Sequence, residues 1–380
     1  MFVDAYFQVA THLFEHYELQ LPLHLFLKEY FKNNKKYGSR DRKFIAELLY
    51  GIYRLGKQND HLSVKDRMLC GAFLSNKLPL IFFEKTNSFL AKNYTGNFSS
   101  KVDFLKETFQ IDFSIPFTLS KQITAEDYLI YLFQPSKVFI RVRKNHHTVR
   151  EQLKQSAICF TEINEHCWSF ESNVKLDEII LDKSDYVIQD YASQQTGEFF
   201  KPHNNEFWWD CCAASGGKSI LLLDKCKNID LTVSDIRESI IKNLHQRFAL
   251  YGYASKYVSL VADASKEDLK MNKKFDGIIC DAPCSGAGTW NSSPEQFYFF
   301  TEQKLQAFHN KQTAILKNAV RYAKQNAKIY FITCSVFNDE NQAVLNEVLQ
   351  DESIQLLNQQ LIKGGHVGGD YLFVAELLKQ

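Results

Sequence analysis

Two cysteines stand where a thiol can act rather than pack. Cys284 lies in the run Asp281-Ala282-Pro283-Cys284-Ser285-Gly286-Ala287-Gly288, and Cys334 in Thr333-Cys334-Ser335. Each follows a short apolar stretch that reads as a strand, Phe275 to Cys280 and Lys328 to Ile332. A thiol at a turn beyond a strand end is within reach of a ligand, and as a thiolate it adds to electrophilic carbon. Structural cysteines are instead buried in apolar surroundings and inert, which is the reading of Cys70, Cys159, Cys226 and Cys280. No Cys-x-x-Cys pair occurs among the nine cysteines and their spacings fit no common zinc module, so no metal is expected.

A second constellation suits an adenosine-bearing ligand. The turn Asp210-Cys211-Cys212-Ala213-Ala214-Ser215-Gly216-Gly217-Lys218-Ser219 follows an apolar stretch and precedes a helical one. Its small residues let backbone approach a ligand, and the helix start offers amide donors. A phosphate-cradling P-loop needs Gly where Cys212 stands, and a dinucleotide fingerprint needs Gly-x-Gly-x-x-Gly; neither is present. The next strand ends in Asp235, where a carboxylate accepts both hydroxyls of a ribose. Asp263 follows the third strand similarly, although an Asp there also suits a helix cap. Three successive strand ends carrying such groups describe an adenosine cofactor lying across the carboxyl edge of a sheet.

The elements that must position these groups follow from periodicity. Beyond Asp182 short apolar strands alternate with amphipathic helices, the pattern of a parallel α/β sheet. Strands are expected at Phe207 to Trp209, Leu231 to Val233, Val258 to Val261, Phe275 to Cys280 and Lys328 to Ile332. Between Pro135 and Asp182, strands at Val138 to Val142, Ala157 to Phe160 and Cys167 to Phe170, with a helix at Thr148 to Gln155, read as a small α+β unit. Upstream, Phe44, Ile45, Leu48, Leu49, Ile52 and Tyr53 recur at helical spacing after Ser39 and Asp41, and similar stretches make residues 1–130 all-helical. The expected domains are 1–130, 131–182 and 183–380.

At these residues the chain resembles the RsmB/NOP2/Sun family of RNA cytosine-5 methyltransferases. The turn from Asp210 to Ser219 is similar to the family's Asp-x-Cys-Ala-Ala-Pro-Gly-Gly-Lys-Thr signature, and Asp281 to Gly286 is identical to its Asp-Ala-Pro-Cys-Ser-Gly. Thr333-Cys334-Ser335 with Glu340-Asn341 resembles its Thr-Cys-Ser segment, and Gln189 to Gln194 the opening of its catalytic domain. Gly38 to Phe44 resembles the NusB-like RNA-binding domain of the bacterial RsmB branch, whose substrate is small-subunit ribosomal RNA, and Phe139 to Val142 the small RRM-like module before the catalytic domain.

The resemblance implies a Rossmann-like class I methyltransferase domain, a mostly parallel seven-stranded α/β sheet, preceded by a NusB-like helical domain and an RRM-like module. It implies S-adenosyl-L-methionine as cofactor, held by Cys212, Ala213, Ala214, Ser215, Gly216, Gly217, Lys218, Asp235, Asp263 and Asp281. Carbon 5 of cytosine is too electron-poor to attack a sulfonium methyl directly, so a thiolate must first add to carbon 6. The resemblance assigns that attack to Cys334, product release to Cys284, and the cytosine edge near ring nitrogen 3 to Asp281. The target is an unstacked cytosine in RNA, expected in 16S rRNA or a small-subunit assembly intermediate; transfer RNA, an RNA-binding assembly factor without catalysis, and a DNA enzyme attacking through Cys284 are the competing readings.

Composition is that of an ordinary globular protein, 45% hydrophobic and 23% charged over 380 residues, with a formal net charge of +1. No basic segment precedes an apolar run at the start, and no apolar stretch reaches the roughly 18 residues that span a bilayer, so a cytoplasmic monomer with reduced thiols and no membrane partner is expected. Two basic stretches offer phosphate contacts: Lys28, Lys32, Lys35, Lys36, Arg40, Arg42 and Lys43, and Lys137, Arg141, Arg143, Lys144 and Arg150. Trp290, Phe297 and Tyr298 are read either as an RNA-stacking platform or as core. The chain departs from the family pattern at Ser215, where Pro is usual, across Thr289 to Phe297, where an Arg pair is usual, and at Tyr371, where Gly is usual.

Overall fold

A computed structural model describes residues 3–171 and 174–380. The chain folds as two units whose division does not follow chain order. The helical unit gathers the chain up to Phe117, Thr124–Pro135 and, from far downstream, Thr289–Thr301. The second unit contains Thr118–Ile123, Ser136–Gly288 and Glu302–Gln380, so the small α+β module and the large sheet belong together.

In the helical unit, helix Ser39–Arg54 buries Phe44, Ile45, Leu48, Leu49, Ile52 and Tyr53 on the face that their spacing predicts. Its start is fixed by Asp41, whose carboxylate accepts the Gly38 N–H at 3.0 Å. It packs on helix Val64–Ser75 at Gly51 and Gly71, where a Cβ on Gly71 would lie 2.1 Å from the Gly51 carbonyl oxygen. Only backbone against backbone fits there. Trp290 and Phe297 are buried in this unit with ring centroids 5.6 Å apart, while Tyr298 packs against Phe14 and Tyr53. Of the two readings of these rings, core holds for Trp290 and Phe297, and Tyr298 is half-buried. Asn291 is also buried, accepting from the Tyr131 hydroxyl at 3.0 Å and from Arg54 at 3.2 Å, so this departure from the family pattern has a packing role.

In the second unit, β1 (Val138–Val142), β2 (Phe160–Glu162), β3 (Cys167–Phe170) and β4 (Tyr186–Ile188) form an antiparallel sheet in the order β2-β3-β1-β4. Helix His146–Gln155 packs on it through Val149 and Leu153. The strand expected at Ala157 to Phe160 instead begins at Phe160, because Ala157 turns left-handed at φ 53° where the helix ends. The basic stretch here does not present free charge. Arg141 and Arg143 both bind Asp224, at 2.7 and 2.6 Å, Arg150 forks onto Glu162, Lys137 faces Glu171, and Lys144 faces Asp182 and Asp185.

The large sheet comprises β5 (Phe207–Asp210), β6 (Asp230–Asp235), β7 (Tyr257–Val261), β8 (Phe275–Asp281), β9 (Ala323–Thr333), β10 (Ile354–Lys363) and β11 (Tyr371–Lys379). Its order is β10-β11-β9-β8-β5-β6-β7, parallel from β9 to β7 and antiparallel at β11 and β10. This is the expected mostly parallel seven-stranded Rossmann-like sheet. Parallel strands buried on both faces read as continuous apolar runs, which is why Phe275–Cys280 and Ile329–Ile332 are legible as strands. All five parallel strands end on one edge, and every residue assigned to chemistry lies at or beyond one of those ends.

Candidate active site

A cleft of about 410 Å³ opens on that edge. Its lining includes Cys212 and Ala214 after β5, Asp235, Ile236 and Arg237 at β6, Asp263 after β7, Asp281 and Cys284 at β8, and Cys334 after β9. Lys311 and Ile315 close it from helix Glu302–Tyr322. The fold thus brings together seven of the residues singled out from sequence. Ala213, Ser215, Gly216, Gly217 and Lys218 do not line the cleft; they build the turn beneath it.

That turn is held by its own amides rather than left open as a cradle. The N–H of Ala213 donates to the Ser234 carbonyl at 2.9 Å, that of Gly216 to the Ala213 carbonyl at 2.8 Å, and that of Ala214 to the Asp235 carboxylate at 3.1 Å. Gly216 takes a left-handed φ of 82°, and a Cβ on it would lie 2.5 Å from the Phe248 ring, so only glycine fits. Ser215 replaces the rigidity of a proline with anchorage: its hydroxyl and carbonyl oxygens accept from Arg247 at 2.6 and 2.9 Å.

Asp235 accepts from the Arg237 backbone N–H and side chain and from the Ala214 N–H. Burial would raise its pKa, but these donors and the Arg237 charge hold its carboxyl below the ordinary value. Ile236 beside it is 52% exposed, an apolar surface next to a carboxylate, as an adenosine needs. Asp263 accepts from the N–H and hydroxyl of Ser265 at 3.0 and 2.6 Å while also lining the cleft. Arg237, Ile236 and Lys311 are site residues that sequence reasoning missed; the first two adjoin Asp235, whereas nothing local marks Lys311.

Cys284 and Cys334 lie with their sulfurs 3.2 Å apart, both half-buried. The hydrogen bond to Cys334, then burial, then the charges of Cys334 and Glu340 push the Cys284 thiol well above its ordinary range. Lys218 reaches Asp281 at 2.6 Å; burial would depress its ammonium pKa, yet Asp281 keeps it raised. The inert cysteines differ. Cys70 and Cys280 are buried as expected, but Cys159 is exposed and Cys226 half-buried, a correction arising because the turn after residue 155 and the end of helix Gly217–Lys225 lie at the surface. Cys212 lines the cleft, but its thiol is pushed well above the ordinary range by its hydrogen bond to Cys211 and by burial.

Residues 198–370 match the family described as 16S rRNA methyltransferase RsmB/F. This part of the chain, a little under half of it, is similar to that family. Ribosomal RNA small subunit methyltransferase B of Photorhabdus laumondii is 29% identical over 209 residues, 52% of this chain and 48% of that protein. The same-named protein of Shewanella oneidensis is 27% identical over 205 residues, 50% of this chain and 47% of that protein. The match spans about half the length of these relatives. Among solved structures, PH0851 superposes with a TM-score of 0.65 at 17% identity over 93% of each chain. NSun6 from Pyrococcus horikoshii with SFG superposes at 0.59 and 14% identity, over 67% of this chain and 94% of its own. These likenesses show that the chain shares its fold with those proteins. No helix among the described residues is long and apolar enough to cross a membrane.

Proposed function

We propose that this chain is an S-adenosylmethionine-dependent RNA (cytosine-5)-methyltransferase acting on small-subunit ribosomal RNA, with Cys334 as nucleophile and Cys284 as the releasing thiol. The observation that carries the proposal is the 3.2 Å between the two sulfurs, on a cleft that Asp235 and Asp281 also line. S-adenosylmethionine supplies the methyl group when bound, and the Asp235 carboxylate with apolar Ile236 is the fitting receptor for its adenosine. The Cys334 thiolate adds to carbon 6 of cytosine, and the displaced electron pair makes carbon 5 nucleophilic. Asp281, paired with the Lys218 ammonium at 2.6 Å, holds the cytosine edge near ring nitrogen 3, where the ammonium offsets the charge that builds as the thiolate adds.

Cys284 acts last. While Cys334 is free, its hydrogen bond and charge keep the proton on Cys284. Once Cys334 is bonded to carbon 6 that charge is gone, and Cys284 ionises more readily. It then takes the carbon 5 proton, the double bond re-forms, and the Cys334 sulfur leaves as thiolate. The small-subunit target is supported by the RsmB/F match and by relatives named for ribosomal RNA, and the exposed basic residues from Lys28 to Lys43 suit the phosphates.

The two thiols fail in opposite ways when removed. Cys334→Ala should abolish both methylation and any covalent link to RNA. Cys284→Ala should methylate once and stall, accumulating a protein–RNA adduct that survives denaturing electrophoresis and disappears when Cys334 is also replaced. An adduct in the Cys334 variant and none in the Cys284 variant would reverse the roles.

A further inference from the structure

Behind the two thiols lies a carboxylate with no part in the chemistry just described. Glu340 is fully buried. Its Oε1 accepts from the Ser285 N–H at 2.7 Å and from Gln312 Nε2 at 3.2 Å, and its Oε2 from the hydroxyls of Ser285 and Ser335. Ser285 follows Cys284 and Ser335 follows Cys334, so one side chain grips the residue after each thiol. Gln312 extends the grip by donating to the Pro283 carbonyl at 3.0 Å, immediately before Cys284. Neighbouring Asn341 accepts from the Thr333 hydroxyl at 2.6 Å and donates to the Ser335 carbonyl at 3.0 Å, bracketing Cys334 from both sides.

A buried carboxylate is costly unless its oxygens are satisfied, and burial does push the Glu340 carboxyl up against the pull of its donors. Packing alone does not call for a charge there. The two cysteine turns come from different strands, β8 and β9, and their sulfurs meet only if the turns hold a common register; a misplacement of about 1 Å costs about 100-fold in such reactions. Glu340 also faces Cys284 electrostatically, beside Cys334 and the Gly286 N–H, with the Lys218–Asp281 pair beyond Cys334.

We propose that Glu340 is a positioning residue of the two-thiol site: it ties the turn carrying Cys284 to the turn carrying Cys334 and sets which sulfur attacks. Its catalytic consequence rests on the methyltransferase reading, but the assignment is testable on the thiols without RNA. Glu340→Gln removes the charge. In the full chain, alkylation by iodoacetamide at pH 8, read by mass spectrometry, should label Cys284 at least about 10-fold faster relative to Cys334 than in wild type, the effect of one pH unit in thiolate population. Glu340→Asp keeps the charge and shortens the arm. It should leave that labelling ratio within about 3-fold of wild type, yet slow the diamide-driven joining of Cys284 to Cys334 at least about 10-fold, two thiols being oxidised as diamide is reduced to the hydrazine. A folded Gln variant with the wild-type labelling ratio, or an Asp variant whose sulfurs join at the wild-type rate, overturns the assignment; if the Gln variant does not fold, the Asp variant decides. Should wild type methylate no RNA while both thiol results appear as expected, the RNA reading fails and the role of Glu340 stands.

Discussion

At the scale of single residues, the cofactor reading depends on one carboxylate. Asp235 is nearly buried and accepts from Arg237 and Ala214, so a ribose must share or displace those donors. Asp235→Ala should weaken S-adenosylmethionine binding by about 1.5–3 kcal/mol, the usual loss when a charged hydrogen-bond partner is removed. Arg237→Ala, which frees the carboxylate, should leave binding as tight or tighter. Calorimetry on both folded variants checks the pair: unchanged affinity without Asp235, or a marked loss without Arg237, rules out this receptor. The Cys284 and Cys334 variants test the other half of the site by the adducts they form or fail to form.

At the scale of elements, the join between β5 and helix Gly217–Lys225 carries a pH signature. Asp210 ends β5 and accepts the Ser219 hydroxyl at 2.6 Å, fully buried. Burial pushes its carboxyl from the ordinary 3.8 up to about 7, with the Asp281 charge adding to the rise and Ser219 and Lys218 opposing it. A carboxyl with a raised folded-state pKa holds its proton more tightly folded than unfolded, so it stabilises the fold at low pH and loses that advantage as pH rises. Relative to Asp210→Asn, the wild-type unfolding free energy should therefore fall by on the order of 2–4 kcal/mol between about pH 4 and pH 7 and level off above. Urea unfolding of both proteins across this range measures it; a pH-independent difference would show that Asp210 does not titrate with folding.

At the scale of the whole molecule, a net charge of +1 conceals an uneven distribution. The central basic residues are spent on Asp224, Glu162, Glu171, Asp182 and Asp185, whereas Lys28, Lys32, Lys35, Lys36, Arg40, Arg42 and Lys43 are all exposed. Replacing Lys28, Lys32 and Lys36 together with Gln should lower RNA affinity and reduce the slope of log affinity against log salt by about 2, whereas Lys137→Gln with Lys144→Gln should change little. Filter binding at several salt concentrations reads both; an unchanged slope in the triple variant removes this face from the RNA path. Deleting residues 1–130 is not an equivalent test, because Trp290 and Phe297 pack within the helical unit and would lose their surroundings.

The five parallel strands and the chemistry at their ends were legible in the residues alone, whereas β10, β11 and the strand order were not. Short apolar runs ending in Asp210, Asp235, Asp281 and Cys334 are a local signal, since a parallel strand buried on both faces must be apolar throughout and its last residue is where polarity returns. Tertiary structure alone decided everything that depends on partners distant in the chain. Which basic residues face solvent turned on Asp224, far from Arg141 and Arg143; what Tyr298 packs against turned on Phe14 and Tyr53, more than two hundred residues upstream; and the grip of Glu340 on both cysteine turns joins residues 55 positions apart at Ser285 and only five apart at Ser335. A residue's type and neighbours along the chain fix its conformation and its chemistry, but the free energy of a charge or a ring depends on what surrounds it in space, and that is set only when the chain has folded.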